Sequence, residues 1–110
     1  MIEHDKYELL ALFESEPKIM GEEEIRRYRY ERQDEYGFTL KLYFSFYEGF
    51  SSLTLSHRDL KVQIFDLGFE NVEKIVCTED KLILQQTGNH KDIVVYFKPS
   101  YSLVFEDRVS

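Results

Sequence analysis

The chain has 110 residues, 43% of them hydrophobic and 15% aromatic, which is enough for one core in a single domain spanning residues 1–110. Its single cysteine excludes a disulfide scaffold, and its net charge of −7 disfavours nonspecific nucleic-acid binding. No secretory signal pattern occurs, and no apolar run approaches the roughly 20 residues of a membrane span. We therefore expect a cytoplasmic protein without a membrane partner.

The first predicted element is a helix over residues 3–14. Leu9, Leu12 and Phe13 follow the i, i+3, i+4 spacing of an amphipathic helix. Pro17 ends the pattern, because proline cannot continue the hydrogen-bond ladder of a helix. A connecting loop is expected after it.

From residue 25 onward the apolar period changes to two. In residues 38–46 the even positions are apolar and the odd positions mostly polar, which is typical of a half-buried strand. Residues 25–33 alternate as well, with Tyr28 and Tyr30 on the face opposite Arg27, Arg29 and Glu31. Residues 34–37 carry turn-forming types and predict a hairpin between the two strands.

The rest of the chain repeats this rhythm, with turn signals about every ten residues, as in antiparallel sheet proteins. We predict an α+β fold with one N-terminal helix packed on a curved, mostly antiparallel sheet of six to eight strands. The further strand-like segments are residues 51–56, 60–64, 72–77 (a strand or a short helix), 82–86, 93–97 and 101–105.

The candidates for metal or thiol chemistry are isolated. His4, His57 and His90 have no second ligand at metal-binding spacing, and His4 is expected in a frayed N-terminus. Cys77 follows apolar neighbours, the usual setting of a buried structural thiol. The sequence predicts no metal and no cofactor.

Residues 56–59 combine serine, histidine and aspartate, the residue types of a hydrolytic triad. Neighbouring residues of a strand point to opposite faces, so Ser56 and His57 would diverge. No phosphate-binding glycine loop, CxxC or HExxH motif occurs either. The sequence therefore predicts no catalytic residues and favours a protein that is not an enzyme.

Acidic residues concentrate near the N-terminus, where residues 1–24 contain eight acids and two lysines. The run at residues 22–24 has two interpretations, a solvated loop or an edge that steers a basic partner. Residues 26–30 interleave arginine with tyrosine, as platforms for single-stranded nucleic acid do. On a strand the two types fall mostly on opposite faces, so pairing of the arginines with nearby glutamates is favoured over nucleic-acid binding.

The order of elements resembles that of the immunity proteins of bacterial polymorphic-toxin and contact-dependent inhibition systems, in particular the family catalogued as immunity family fifty. The shared features are a helix before a proline-containing loop, a polar entry into the first strand, two long alternating strands and closing hairpins with an aromatic last strand. In this sequence the helix end and its proline-containing loop occupy residues 13–17, and the entry into the first strand occupies residues 22–32. A further strand and a loop occupy residues 60–65 and 69–72, and the closing hairpins end in residues 93–105.

This resemblance implies a protein that binds and neutralises a cognate toxin by steric and electrostatic occlusion. Toxins of this kind are often basic nucleases, which suits an acidic inhibitor acting as a monomer or weak homodimer. The implied contacts are acids and exposed tyrosines near hairpin ends, since tyrosine is enriched at binding hot spots. These candidates are Glu22, Glu23, Glu24, Glu35, Tyr36, Tyr47 and Glu48.

Two other functions stay open. The chain could be a small protein-interaction or ligand-binding module that uses the concave face of the sheet and its aromatic residues. It could also be an enzyme whose site is assembled from scattered strands, which leaves no local motif. A large polar-lined cavity would favour the ligand-binding module, and two buried titratable side chains that converge would favour the enzyme.

Overall fold

The computed structural model describes residues 1–108, which form one α-helix, one short 3₁₀ turn and nine strands. In chain order the elements are α1 (Lys6–Phe13), β1 (Lys18–Ile19), the 3₁₀ turn (Glu23–Ile25), β2 (Arg27–Gln33), β3 (Phe38–Ser45), β4 (Phe50–His57), β5 (Phe65–Phe69), β6 (Val72–Cys77), β7 (Lys81–Gln86), β8 (Lys91–Tyr96) and β9 (Ser102–Asp107).

The strands form two antiparallel sheets. Within each sheet every strand pairs with the next strand of the chain, β1 to β5 in the first sheet and β6 to β9 in the second. The predicted fold class, a helix packed on antiparallel strands, is confirmed, although the nine strands are divided between two sheets. The division falls at Asn71, whose left-handed backbone (φ 56°) separates β5 from β6.

The predicted helix is present and has a defined cap at each end. The Asp5 carboxylate accepts hydrogen bonds from the backbone N–H groups of Tyr7 and Glu8, at 2.8 and 3.2 Å. Glu14 ends the helix with a left-handed backbone, and its N–H donates to the Leu10 carbonyl oxygen at 2.8 Å. The helix buries the predicted apolar stripe against the sheets.

The alternation predicted for residues 38–46 is confirmed in β3. Leu40, Leu42 and Phe44 are fully buried on one face, and their partners Leu53 and Leu55 on β4 bury the same face. The hairpin turn predicted before β3 is present as well, and it joins β2 to β3. Both long strands therefore contribute alternate residues to the core.

The two sheets are joined by the N-terminal segment. The Ile2 N–H donates to the Phe46 carbonyl oxygen after β3, at 2.9 Å. The Glu3 N–H donates to the Glu73 carbonyl oxygen at 2.9 Å, and the Ile75 N–H donates back to Glu3 at 2.8 Å, so that Glu3 pairs with β6. Because Ile2 is also fully buried, this segment contributes to the core.

The prediction that His4 lies in a frayed N-terminus is wrong. Its ring packs edge-on against Phe44, with the ring centroids 4.9 Å apart, and against Phe46 at 5.7 Å. Its Nδ1 lies 2.9 Å from the Ile2 carbonyl oxygen. Local sequence did not reveal this order, because the partners of the segment on β3 and β6 lie forty or more residues away.

The strand predicted over residues 60–64 is also wrong. The chain turns after His57 and runs as an irregular loop, and β5 begins only at Phe65, opposite Leu55 of β4. The apolar residues of the loop point into solvent, and Val62 is 77% exposed. Their alternation looked like the inward face of a strand, but no strand pairs with them.

One hydrophobic cluster contains residues of the helix and of both sheets. Phe13 of the helix links the sheets, since its ring contacts Tyr30 of β2 at 5.5 Å and Phe97 after β8 at 5.4 Å between centroids. The Tyr101 hydroxyl adds a second link by donating to the Arg32 carbonyl oxygen at 3.0 Å. Among residues 1–108, no helix combines the length and apolar character that crossing a membrane requires.

Candidate partner-binding surface

The predicted contact residues lie at opposite ends of β3. Glu35 and Tyr36 occupy the turn before the strand, whereas Tyr47 and Glu48 follow its last residue. An eight-residue strand is roughly 25 Å long, so the two groups are far apart. The run of glutamates at residues 22–24 precedes β2 and therefore lies at the Tyr47 end.

At the Tyr47 end, three glutamates form an exposed acidic edge. Glu22 precedes the 3₁₀ turn that contains Glu23 and Glu24, and all three are exposed. The turn ends at Arg26, which has a left-handed backbone (φ 57°). Both interpretations of this run, a solvated loop and a steering edge, require such an exposed position.

Arg26 and Tyr47 both contact the ring of Phe46 beside this edge. The guanidinium carbon of Arg26 lies 3.8 Å from the centroid of the Phe46 ring, a cation–π contact. The Arg26 Nε also donates to the Tyr28 hydroxyl at 3.3 Å, and this hydrogen bond raises the pKa of Arg26. Tyr47 packs edge-on against Phe46 but remains 56% exposed.

Glu48 differs from the other predicted contacts because its carboxylate already has partners within the chain. It accepts a hydrogen bond from Arg27 at 2.8 Å and another from the Ser45 hydroxyl at 3.0 Å. These hydrogen bonds lower the pKa of Glu48. Arg32 forms a second pair with Glu14 at 3.4 Å. Among the arginines of residues 26–30, the expected pairing with a glutamate is present at Arg27.

At the other end of β3, the turn that carries Glu35 and Tyr36 is held by Asp34. One carboxylate oxygen of Asp34 accepts from the N–H groups of Tyr36 and Phe38, both at 2.9 Å. Gly37 completes the turn with φ +91°, a conformation that disfavours any side chain. The neighbouring Glu35 carboxylate raises the pKa of the Tyr36 phenol.

His57 connects this turn to the loop after β4. Its Nε2 donates to the Tyr36 carbonyl oxygen at 2.8 Å, and its Nδ1 accepts from the Asp59 N–H at 3.1 Å. Ser56 pairs with Thr39 on the opposite face of the sheet, as expected for neighbouring strand residues. The residue types of a triad are thus present, but Ser56 and His57 point to opposite faces, and the hydrogen bonds of His57 hold two loops together.

Sequence reasoning missed a group of exposed apolar residues beside this turn, which we name the apolar tip. In the loop after β4, local pattern alone does not distinguish an exposed apolar residue from the inward face of a strand. Tyr36 lies in the adjacent turn. A hydrogen bond from the Arg58 N–H to the Gly37 carbonyl oxygen, at 3.1 Å, joins the loop to this turn. The apolar tip consists of Tyr36, Leu60, Val62 and Ile64.

A cleft of about 350 Å³ lies between α1 and β2. Three of its residues, His4, Lys6 and Arg26, carry basic groups, and Glu16 supplies an acid. This volume is near the lower limit of typical small-molecule sites. The remaining lining residues are Tyr7, Leu10, Pro17, Tyr28 and Tyr30.

Cys77 is in an environment that suppresses thiolate chemistry. Burial raises the pKa of the thiol to about 12, and the carboxylates of Glu8 and Asp5 act in the same direction. The thiol is therefore protonated at neutral pH. Within residues 1–108, no three histidine, cysteine or acidic side chains are grouped as metal ligands would be.

Comparison with models of protein families gives no match, and comparison with curated proteins gives none either. Among solved structures, the chain is similar to one in the contact-dependent growth inhibition toxin–immunity protein complex from Klebsiella pneumoniae 342, with a TM-score of 0.76. The identity is 20%, over 94% of this chain and 95% of that chain. The likeness is one of fold, and it agrees with the resemblance found in the order of elements.

Proposed function

We propose that this protein is an immunity-type protein that binds a cognate toxin and neutralises it by covering a surface the toxin needs. The main support is the likeness of fold, which extends over nearly all of both chains. The protein would act in the cytoplasm as a binder without catalysis of its own.

The similar structure contains a toxin and an immunity protein, and the chemistry of this chain favours the immunity role. The two side chains best suited to catalysis have structural surroundings, since His57 holds two loops together and Cys77 is protonated by burial. The net charge of −7 suits a protein that binds a basic partner, such as a nuclease.

The acidic edge at residues 22–24 supplies a means of attracting such a partner. Its three carboxylates are exposed and lie on one short turn, so their fields add. Exposed charges act over about 10 Å at 0.1 M salt and accelerate encounter more than they strengthen the final complex. We infer that this edge increases the association rate.

The proposal is tested by co-expressing the chain with the product of the adjacent reading frame, which we expect to be the toxin. Rescue of growth and co-purification as a complex are expected. Light scattering on the purified chain and on the complex gives the stoichiometry, which we expect to involve a monomer or weak homodimer of this protein. Normal toxicity in the presence of the folded chain, with no complex formed, contradicts the proposal.

The steering role is tested with matched charge reversals. The variant Glu22→Lys/Glu23→Lys should associate more slowly at low salt, and the difference should shrink as salt is added. The control Glu79→Lys/Asp80→Lys changes the same net charge in the exposed turn between β6 and β7. Equal association rates for the two variants contradict steering by the acidic edge.

The cleft between α1 and β2 supports a second candidate, a ligand-binding module. Its basic groups would suit a small anion with an aromatic or apolar part. Native mass spectrometry of the purified protein would reveal a small molecule retained from the cell. Loss of that molecule in Lys6→Ala/Arg26→Ala would place it in the cleft.

A further inference from the structure

The apolar tip exposes an unusual amount of apolar surface in one place. Tyr36 is 54% exposed, Leu60 55%, Val62 77% and Ile64 45%. Single exposed apolar residues are common, but a group of large ones on two adjoining loops marks an interaction surface. No requirement of the fold explains these residues, because the core is complete without them.

The base of the apolar tip is ordered by hydrogen bonds. The Leu60 N–H donates to the His57 carbonyl oxygen at 3.0 Å, and the Ile64 N–H donates to the Leu55 carbonyl oxygen at 2.8 Å. The contacts of His57 and Arg58 with the Tyr36 turn hold the two loops together. A surface ordered before binding loses less conformational entropy when a partner docks.

Exposed acidic residues flank the apolar tip along the chain. Glu35 precedes Tyr36, Asp59 precedes Leu60, and Asp66 follows the loop on β5. Against these three exposed carboxylates the same segments contain two exposed basic residues, Arg58 and Lys61, so the net charge of the rim is −1. An apolar centre with a charged rim is the usual anatomy of a protein–protein interface.

We propose that the apolar tip anchors the cognate toxin by entering an apolar depression that is bordered by lysine or arginine residues. This inference rests on the proposed function, and it places the binding energy at the end of β3 opposite the acidic edge. The negative rim selects a basic partner over a second copy of this chain. In a two-fold dimer the same carboxylates would face one another.

The two ends of β3 then have different kinetic roles. The acidic edge governs how quickly the toxin is captured, and the apolar tip governs how long it stays bound. At the acidic end the aromatic surface is already partly covered, since Arg26 lies on Phe46. The side chains of the apolar tip are 45% to 77% exposed, and this exposed area is available to a partner.

The test uses the full chain and the cognate toxin in a surface-binding assay. The variant Leu60→Ala/Val62→Ala should weaken binding by roughly 100-fold, mainly through faster dissociation, because it truncates the two most exposed side chains of the apolar tip. The matched control is Val104→Ala/Phe105→Ala, which removes exposed apolar side chains from β9. Both variants should keep the urea unfolding midpoint of the parent, because they truncate exposed residues.

Several outcomes overturn the inference. Parent-like dissociation of Leu60→Ala/Val62→Ala would show that the toxin docks elsewhere and would leave the proposed function intact. Failure of the parent chain to bind the toxin would overturn the proposed function, and the anchor with it. Self-association of the parent that Leu60→Ala/Val62→Ala abolishes would assign the apolar tip to a second copy.

Discussion

Replacing Ile2 by alanine should destabilise the protein as strongly as a substitution in the centre of a sheet. Ile2 is fully buried, and its backbone N–H bonds to Phe46 at the end of β3. The change removes three carbon groups, worth about 0.8 kcal/mol each, and leaves a cavity that adds to the loss. We expect the free energy of unfolding to fall by about 3 kcal/mol.

The measurement is equilibrium unfolding in urea, followed by circular dichroism. With a slope of about 1.5 kcal/mol per molar urea, the midpoint should fall by about 2 M. Val62→Ala is the control, because Val62 is also β-branched but is 77% exposed, and its midpoint should stay within about 0.3 M of the parent. Equal midpoints for the two variants would refute the role given to the N-terminal segment.

Three further predictions concern single residues. Cys77 should resist alkylation at pH 8 in the folded protein and react once urea unfolds it, since burial raises its pKa to about 12; rapid labelling of the folded chain contradicts this. Burial also raises the pKa of Tyr30 to about 12, so the unfolded state loses this proton first and stability should fall between pH 10 and 12. That fall should be smaller in Tyr30→Phe, and an identical pH profile contradicts the assignment. Gly37→Ala should cost about 1–2 kcal/mol, because φ is +91° and the new Cβ would lie 2.8 Å from the Arg58 Nε; an unchanged unfolding midpoint contradicts it.

The features predicted correctly are those that local chemistry decides. The alternation through β3 determines which residues are buried, whatever the strand packs against. Likewise, the run at residues 34–37 turns because Asp34 bonds to the backbone and Gly37 tolerates a positive φ. Such information is contained within a few residues, so one sequence is enough to read it.

The features predicted wrongly depend on distant partners. His4 is ordered only because β3 and β6 come together around the N-terminal segment. The loop that contains Val62 carries the same alternation as a strand, and only the lack of a pairing strand leaves it exposed. The division into two sheets has the same origin, since it is set by where the chain leaves β5.

The candidate surface shows the same limit. Exposure of the glutamates at residues 22–24 could be expected from their charge alone. The hydrogen bonds of Glu48 with Arg27 and Ser45 could not be expected from sequence, because they depend on the register that sets Arg27 opposite Ser45. Tyr36 was predicted as an exposed contact, but the other three residues of the apolar tip were missed, because residues 60–64 were assigned to a strand.

The link between Glu3 and β6 also has a consequence for biosynthesis. Every hairpin here joins neighbours in the chain, so each can form soon after its second strand leaves the ribosome. Glu3 is different, because its partners Glu73 and Ile75 are translated about 4 to 14 s later at ordinary elongation rates. Glu3 is thus made long before its partners, and in a nascent chain it stays unpaired until residues 73–75 have left the ribosome.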